Sequence, residues 1–221
     1  MVNAAGYQTE EVGGAFVPVN SVNSNAMPVY GIERVEVLRD GASGDADFVS
    51  ERSAHHGLRC VVGEEDVSAH ARNHGLSVEC SGRTLRYEFL ARVAVDFGAR
   101  AVATGHHADD QAETVFMRIM RGTGLRGLAG MPPIRSFGPP AHDLNLVRPL
   151  LDVPRADIDA FCAERGLAFR TDQTNSEAVY RRNFVRLELL PAIREHLQPQ
   201  ATDVLCRLAR IGGQVSTSIH S

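Results

Sequence analysis

Lysine is absent from this 221-residue chain, and all 23 of its Lys+Arg residues are arginine. A Schiff base through a lysine amine is therefore excluded, and so is a Walker-type phosphate loop, which needs its own lysine. Paired cysteines are absent as well. Cys60, Cys80, Cys162 and Cys206 never form a Cys-x-x-Cys unit, which argues against a zinc ribbon or an iron–sulfur site and leaves them as small hydrophobes. No stretch resembles a membrane span or a signal peptide, so the cytoplasm is the default location and no membrane partner is expected. The net charge of −4 supplies no global basic field for nucleic acid. Residues 1–31 lack arginine altogether and carry only Glu10 and Glu11 as charges. They read as a mobile tail or loosely held strands.

What is present suits one full-sized core: 43% of the residues are hydrophobic. Helix-like and strand-like patches alternate from Arg34 onward. Asp45 to His56 predicts a helix closed by Gly57, and Leu58 to Val62 a strand. Asp66 can cap a short helix ending before Gly75. Thr84 to Phe97 has helical apolar spacing, and Ala99 to Thr104 is a small, β-branched run of strand length. This alternation predicts an α/β fold, a parallel sheet flanked by helices. Beyond residue 121 glycines and Pro132-Pro133 suggest a long loop. Pro154 then opens a helix to Arg165, with Asp152 as its cap. Asp172 to Val179 is loop-like, and Arg181 to Leu189 and Pro191 to Leu197 are helical, with the proline marking a break or a new first turn.

The densest chemistry lies in Ala103-Thr-Gly-His-His-Ala-Asp-Asp-Gln-Ala-Glu-Thr-Val115. A strand ends at Gly105 and a helix begins near His107. Ala112, Val115, Phe116, Ile119 and Met120 share a face that should pack on the sheet. His106, Asp110 and Glu113 share another, if the helical phase reaches back to His106. The carboxyl ends of parallel strands are where ligands bind in open α/β sheets. Two further readings stand beside a substrate site. The acids can complement the helix dipole, worth ~0.3–1 kcal/mol each, or the three side chains can hold Zn²⁺ or Mn²⁺ in a metal-dependent hydrolase.

Longer motifs separate these readings. Gly105-His-His-Ala-Asp-Asp-Gln-Ala-Glu-Thr-Val115, followed by Arg121-Gly-Thr-Gly-Leu-Arg-Gly-Leu-Ala-Gly-Met131, closely resembles the signature of tRNA(Ile)-lysidine synthetases. Leu85-Arg-Tyr-Glu-Phe-Leu90, Arg148-Pro-Leu-Leu151, Asp172-Gln-Thr-Asn175, Arg182-Asn-Phe-Val-Arg186 and Leu189-Leu-Pro191 continue the resemblance in order. It covers roughly residues 38 to 210 and is far more specific than one short motif. It implies a PP-loop fold of the adenine nucleotide alpha-hydrolase type, Rossmann-like, with a helical C-terminal part. The implied enzyme is an ATP- and Mg²⁺-dependent carbon–nitrogen ligase that joins L-lysine to C2 of cytidine 34 in tRNA(Ile). A homodimer is an assembly it allows. On this reading Asp110, Glu113 and Arg182 are the catalytic candidates. His106, Asp110 and Glu113 would meet the lysine cation and Arg182 its carboxylate, and Glu113 could accept a proton from the attacking amine.

One element of the family pattern is missing. The Ser-Gly-Gly-x-Asp-Ser loop, whose backbone amides would cradle pyrophosphate, does not occur in residues 1–40, and Gly13-Gly14 cannot replace it. The expected organisation is therefore an unrelated or disordered leader over 1–36 and a partial PP-loop-type domain over 37–150. A helical extension over 151–221 would lead toward a missing C-terminal domain. A truncated gene, a misread start or a degenerate paralogue would each give this pattern, and a non-catalytic tRNA-binding remnant is the corresponding alternative function. A tRNA thiolase is disfavoured by the lack of paired cysteines. Residues 114–142 contain no acid but include Arg118, Arg121, Arg126 and Arg135. Arg121 and Arg126 in this glycine-rich stretch are the tRNA-contact candidates. Neutralising both should weaken tRNA binding and flatten its salt dependence by roughly 0.9 for each phosphate that the protein no longer neutralises. An unchanged slope in a salt titration would return both residues to ordinary solvated surface.

Overall fold

The computed structural model describes residues 16–19, 34–39, 45–139, 143–167, 169 and 181–218. Among these, six strands form one sheet in the order β3-β2-β1-β4-β6-β5. They are β1 (Phe16–Val19), β2 (Arg34–Arg39), β3 (Arg59–Glu64), β4 (Ala101–Thr104), β5 (Ile134–Ser136) and β6 (Asn145–Val147). All neighbours run parallel except β5, which pairs antiparallel with β6. The helices α1 (Asp45–His55), α2 (Val67–His74) and α3 (Val78–Asp96) precede β4. The α/β class expected from the alternation is the class observed.

Three departures from the sequence expectations have physical reasons. The sheet starts before residue 37, where the family pattern is expected to begin, because β1 lies within residues 1–36 and pairs along its whole length with β4. Pro18 has no N–H to give to a ladder, so this short central strand carries little strand signal. Secondly, the stretch beyond residue 121 is not one long loop. It holds α5 (Leu125–Leu128) and the β5–β6 pair at the sheet edge. Thirdly, α3 begins at Val78, where Ser77 Oγ accepts from Cys80 N at 3.1 Å, six residues before the apolar periodicity announces it. The loop-like run expected at Asp172 to Val179 lies outside the described residues.

The main core joins α3 to the sheet edge: Phe89, Leu90, Ala91, Val93, Ala94, Val102, Phe137, Leu144 and Leu146 form one buried cluster. Asp66 caps α2 as expected, accepting from Ala69 N at 2.7 Å, and Gly75 closes that helix at φ 63°.

The C-terminal part is helical: α6 (Arg155–Glu164), α7 (Arg181–Phe184), a π-helical turn (Val185–Leu189), α8 (Leu190–His196) and α9 (Ala201–Ser218). Pro191 does not break the run. The wide turn just before it loosens the backbone where the proline ring would crowd the carbonyl of Leu187. No helix among the described residues is long and apolar enough to cross a membrane.

Helix α4 (Ala108–Met120) is the joint between the two parts. Ala112 and Val115 are fully buried as expected. Instead of resting its whole apolar face on the sheet, however, α4 packs Ala108 and Ala112 against Cys206 of α9, and Met120 is 70% exposed. The Cys206 thiol donates to Ala108 O at 3.3 Å, and burial pushes its pKa up to about 11. Helix α9 also lies close to α5. A Cβ on Gly212 would stand 2.8 Å from Ala129 N and 3.0 Å from Leu128 C, and this backbone cannot swing aside as a side chain could. Gly212→Ala should therefore destabilise the protein by about 1–3 kcal/mol. Urea denaturation with an unshifted midpoint would refute this close approach.

Candidate functional site

The site is built at the carboxyl edge of β4, where the chain turns into α4. His107 is the N-cap of α4, so the helical phase does not reach back to His106. His106 instead lies in the turn after the strand, with Nδ1 2.8 Å from Thr104 Oγ1. Burial lowers its pKa to about 4, the charge of Asp110 opposing this and the charges of Arg148, Arg182 and Arg83 adding to it. His106 is thus neutral at pH 7.

Asp110 and Glu113, one helical turn apart, face the α7 segment and its π turn. Arg182 Nε donates to Glu113 Oε2 at 2.8 Å, and Arg186 Nε donates to Glu113 Oε1 at 2.6 Å. Both guanidiniums also reach Asp110 Oδ1, Arg186 Nη2 at 2.8 Å and Arg182 Nη2 at 3.3 Å. The other Asp110 oxygen accepts from His107 N at 3.1 Å. Two carboxylates and two guanidiniums therefore neutralise one another through forked, charge-assisted bonds. Burial opposes ionisation of Asp110, but His107, Arg182 and Arg186 outweigh it and hold its pKa below the ordinary carboxylate value. Arg186 has its pKa raised: burial works against its charge, and Glu113 and Asp110 more than compensate.

The third acid of the motif does a different job. Asp109 Oδ2 accepts from Arg155 N at 2.9 Å, satisfying an otherwise orphaned amide at the start of α6. The sequence points to Asp152 as the cap of that helix, yet the N-cap is Pro154 and the capping carboxylate comes from α4. Asp109 Oδ1 also accepts from Arg194 Nη2 at 2.6 Å, and the same nitrogen reaches Thr202 Oγ1.

The structure places Asp110, Glu113 and Arg182 in direct contact, with His106 within the electrostatic reach of Asp110 and Arg182. It adds Arg186, Arg194 and Asp109, which the sequence reading does not single out. A signal for Arg186 exists: it stands four residues after Arg182 in the same motif. Glu113 is 1% exposed and both its oxygens are engaged. Guanidiniums already fill the acceptor positions of both oxygens, so its geometry fits positioning better than proton abstraction.

Arg121 and Arg126 are exposed, at the C-cap of α4 and within α5. Arg118 turns inward and donates to Gly127 O and Gly130 O at 2.9 and 2.8 Å. Gln111 clasps the same loop with two bonds to the Met131 backbone. At Gly130, with φ +61°, a Cβ would meet the Gln111 side chain at 2.5 Å.

A family profile described as the PP-loop domain matches residues 20–193. The chain belongs to the PP-loop domain family. Among its relatives is the tRNA(Ile)-lysidine synthase of Geobacter sulfurreducens, 43% identical over 173 residues, 77% of this chain and 35% of that protein. The synthase of Clostridioides difficile is 39% identical over 168 residues, 76% and 35% of the two chains. That of Symbiobacterium thermophilum is 45% identical over 133 residues, 60% and 27%. This PP-loop chain therefore spans about a third of the length of the first two relatives. The U34-tRNA thiolase NcsA from Methanococcus maripaludis, solved with its [4Fe-4S] cluster, shares the fold. Its TM-score is 0.69 at 14% identity, covering 96% of this chain and 76% of that one. The family match begins at residue 20, before the expected boundary at residue 36.

Removing one member of a buried ion-pair group strands its partners. Glu113→Ala should cost about 3–5 kcal/mol, because Arg182 and Arg186 lose their shared acceptor. Urea unfolding checks this, and a change near zero would mean that solvent already screens the cluster.

Proposed function

We propose that this chain is the lysine-binding part of an ATP-dependent tRNA modification of the lysidine type, the reaction that joins L-lysine to C2 of cytidine 34 in tRNA(Ile), and that the chain by itself does not complete that reaction. The observation that carries the reading is the cluster of Asp110, Glu113, Arg182 and Arg186 at the carboxyl edge of β4. Its similarity to named tRNA(Ile)-lysidine synthases supports it. Lysine is a zwitterion with an extra cation, and it needs carboxylates and a guanidinium within one small site. Arg182, about a third exposed, can turn its outer nitrogens to the lysine carboxylate. Asp110 can meet the ammonium, with neutral His106 beside it as a hydrogen-bond partner. Glu113 holds Arg182 and Arg186 in place. Arg121 and Arg126 remain the tRNA-contact candidates, in a loop anchored by Arg118 and Gln111. Cytoplasmic action follows from a tRNA substrate, and a homodimer is an arrangement this reading allows.

Membership of the PP-loop family implies ATP use, and Mg²⁺ would accompany it. The chain's own residues fit the nucleotide poorly. β1 ends at Val19 beside Thr104, where the phosphate-cradling loop belongs, yet the sequence that follows, Asn20-Ser-Val-Asn-Ser-Asn, contains no glycine. The diglycine that would let the backbone approach phosphate closely is missing.

A metal-dependent hydrolase is the weaker reading. Guanidiniums occupy both Glu113 oxygens and Asp110 Oδ1, and two fixed cations beside those oxygens repel a divalent ion. The non-catalytic tRNA-binding remnant is favoured by the sequence after β1. Binding and turnover therefore separate in the test. Calorimetry should detect lysine binding to the unaltered chain and about tenfold weaker binding by Asp110→Asn and Arg182→Gln, each of which removes one charge-assisted hydrogen bond. Pyrophosphate release from ATP with tRNA(Ile) and lysine present should be negligible. Lysine binding unaffected by either substitution would sink the site assignment. Turnover by this chain would show that residues 20–33 form a nucleotide loop of another kind.

A further inference from the structure

Arg182 of α7, Arg186 of the π-helical turn and Arg194 of α8 each meet a carboxylate. A second group of arginines does not. Arg83 of α3, Arg135 of β5 and Arg148 just after β6 gather around Tyr87. Arg83 lies over the Tyr87 ring at 4.9 Å and Arg135 at 5.3 Å, while Arg83 Nη2 donates to the Tyr87 hydroxyl at 3.4 Å. Arg148 Nη1 donates to Pro132 O at 2.6 Å. Arg148 is 5% exposed and its Nε is buried without a hydrogen-bond partner. None of the three is ion-paired with a carboxylate among the described residues.

Such an arrangement is unfavourable unless an anion joins it. A guanidinium keeps its proton under all ordinary conditions, so it cannot escape burial by neutralising. The aromatic faces offset part of the charge, since a cation over a ring is worth only ~0.5–2 kcal/mol. The strain shows at Arg148, whose pKa is lowered by burial and by repulsion from Arg135 and Arg83, with Tyr87 opposing. Arg83 and Arg135 are exposed and Arg148 is buried, so two of the three cations are open to a ligand from solvent. The position of this group is informative. Arg148 follows the last residue of β6, parallel to β4, at the same sheet edge as His106. The charges of Arg148 and Arg83 are both felt at that histidine.

We propose that Arg83, Arg135 and Arg148, gathered around Tyr87, form a binding site for a phosphate group. Forked donors on two exposed arginines and one buried one match the tetrahedral oxygens of phosphate, and the unpartnered Arg148 Nε is the donor the ligand would satisfy. The phosphate could belong to a free nucleotide or to an RNA backbone; the chemistry is common to both. The site does not depend on lysidine formation, and its test reads binding without turnover.

The probes are inorganic pyrophosphate, followed by calorimetry, and a fluorescent RNA stem-loop, followed by anisotropy, both at fixed ionic strength. The double variant Arg83→Gln, Arg135→Gln alters only exposed side chains and should fold normally. The variant Arg59→Gln, Arg100→Gln removes equal charge at the amino edge of the sheet and serves as control. We expect the first pair to weaken at least one probe about tenfold and the control to leave both nearly unchanged. Loss of pyrophosphate binding identifies a free nucleotide phosphate, and loss of RNA alone identifies a backbone phosphodiester. Unchanged binding of both probes, equal losses in the control, or no binding by the unaltered chain would each overturn the proposal.

Discussion

Three acids in the first turns of α4 fix how the helical C-terminal part meets the sheet. Asp109 ties down the start of α6 and Arg194 of α8, while Asp110 and Glu113 hold Arg182 and Arg186. Because the acids of these contacts are largely buried and the arginines partly so, each charge depends on its opposite more than a surface pair would. The apolar packing of Ala108 and Ala112 on α9 is modest in area, since alanine presents little surface. Electrostatic fastening therefore specifies the geometry of this joint, and apolar burial fills in around it. The same fastening gathers the groups proposed to recognise lysine, so the structural role of the acids and their ligand role are two aspects of one arrangement.

Local signals make the α/β class and most of the first half legible in the sequence. Asp66 and Gly75 announce α2 because capping and left-handed backbone are local chemistry. The carboxylate cluster is readable because Asp110 and Glu113 share a helix face and Arg182 sits in an ordered motif. The remainder is hidden for identifiable reasons. β1 is four residues long and contains Pro18, so neither periodicity nor propensity marks it. β5 and β6 have three residues each and are specified by pairing with each other and with β4, not by their own composition. The capping of α6 by Asp109 spans 46 positions, and no local rule could choose it over the nearer Asp152. Arg186 is visible in the motif, but its equal share of Glu113 depends on the conformation of the segment that carries it.

His106 stands between two groups of opposite design. On one side the arginines are matched by acids; on the other, around Tyr87, they are not. Burial chiefly keeps the His106 imidazole neutral, and the surrounding guanidiniums add to that against the charge of Asp110. The sheet edge thus offers an almost neutral patch beside a strongly positive one, with an uncharged hydrogen-bonding group at their border. A ligand combining a zwitterion with a phosphate ester would find both halves matched within one edge.

The π-helical turn at Val185–Leu189 sets how far the rod has rotated between Arg186 and Arg194. Both arginines must point back to α4, one to Asp110 and Glu113 and the other to Asp109. Each residue of an α-helix advances the direction of its side chain by about 100°. Deleting a single residue from this turn, whatever its identity, would rotate one of the two anchors by about 100° relative to the other and away from α4. The segment is consequently more tolerant of exchanged side chains than of altered length, and its spacing carries information that residue-by-residue comparison of composition would overlook.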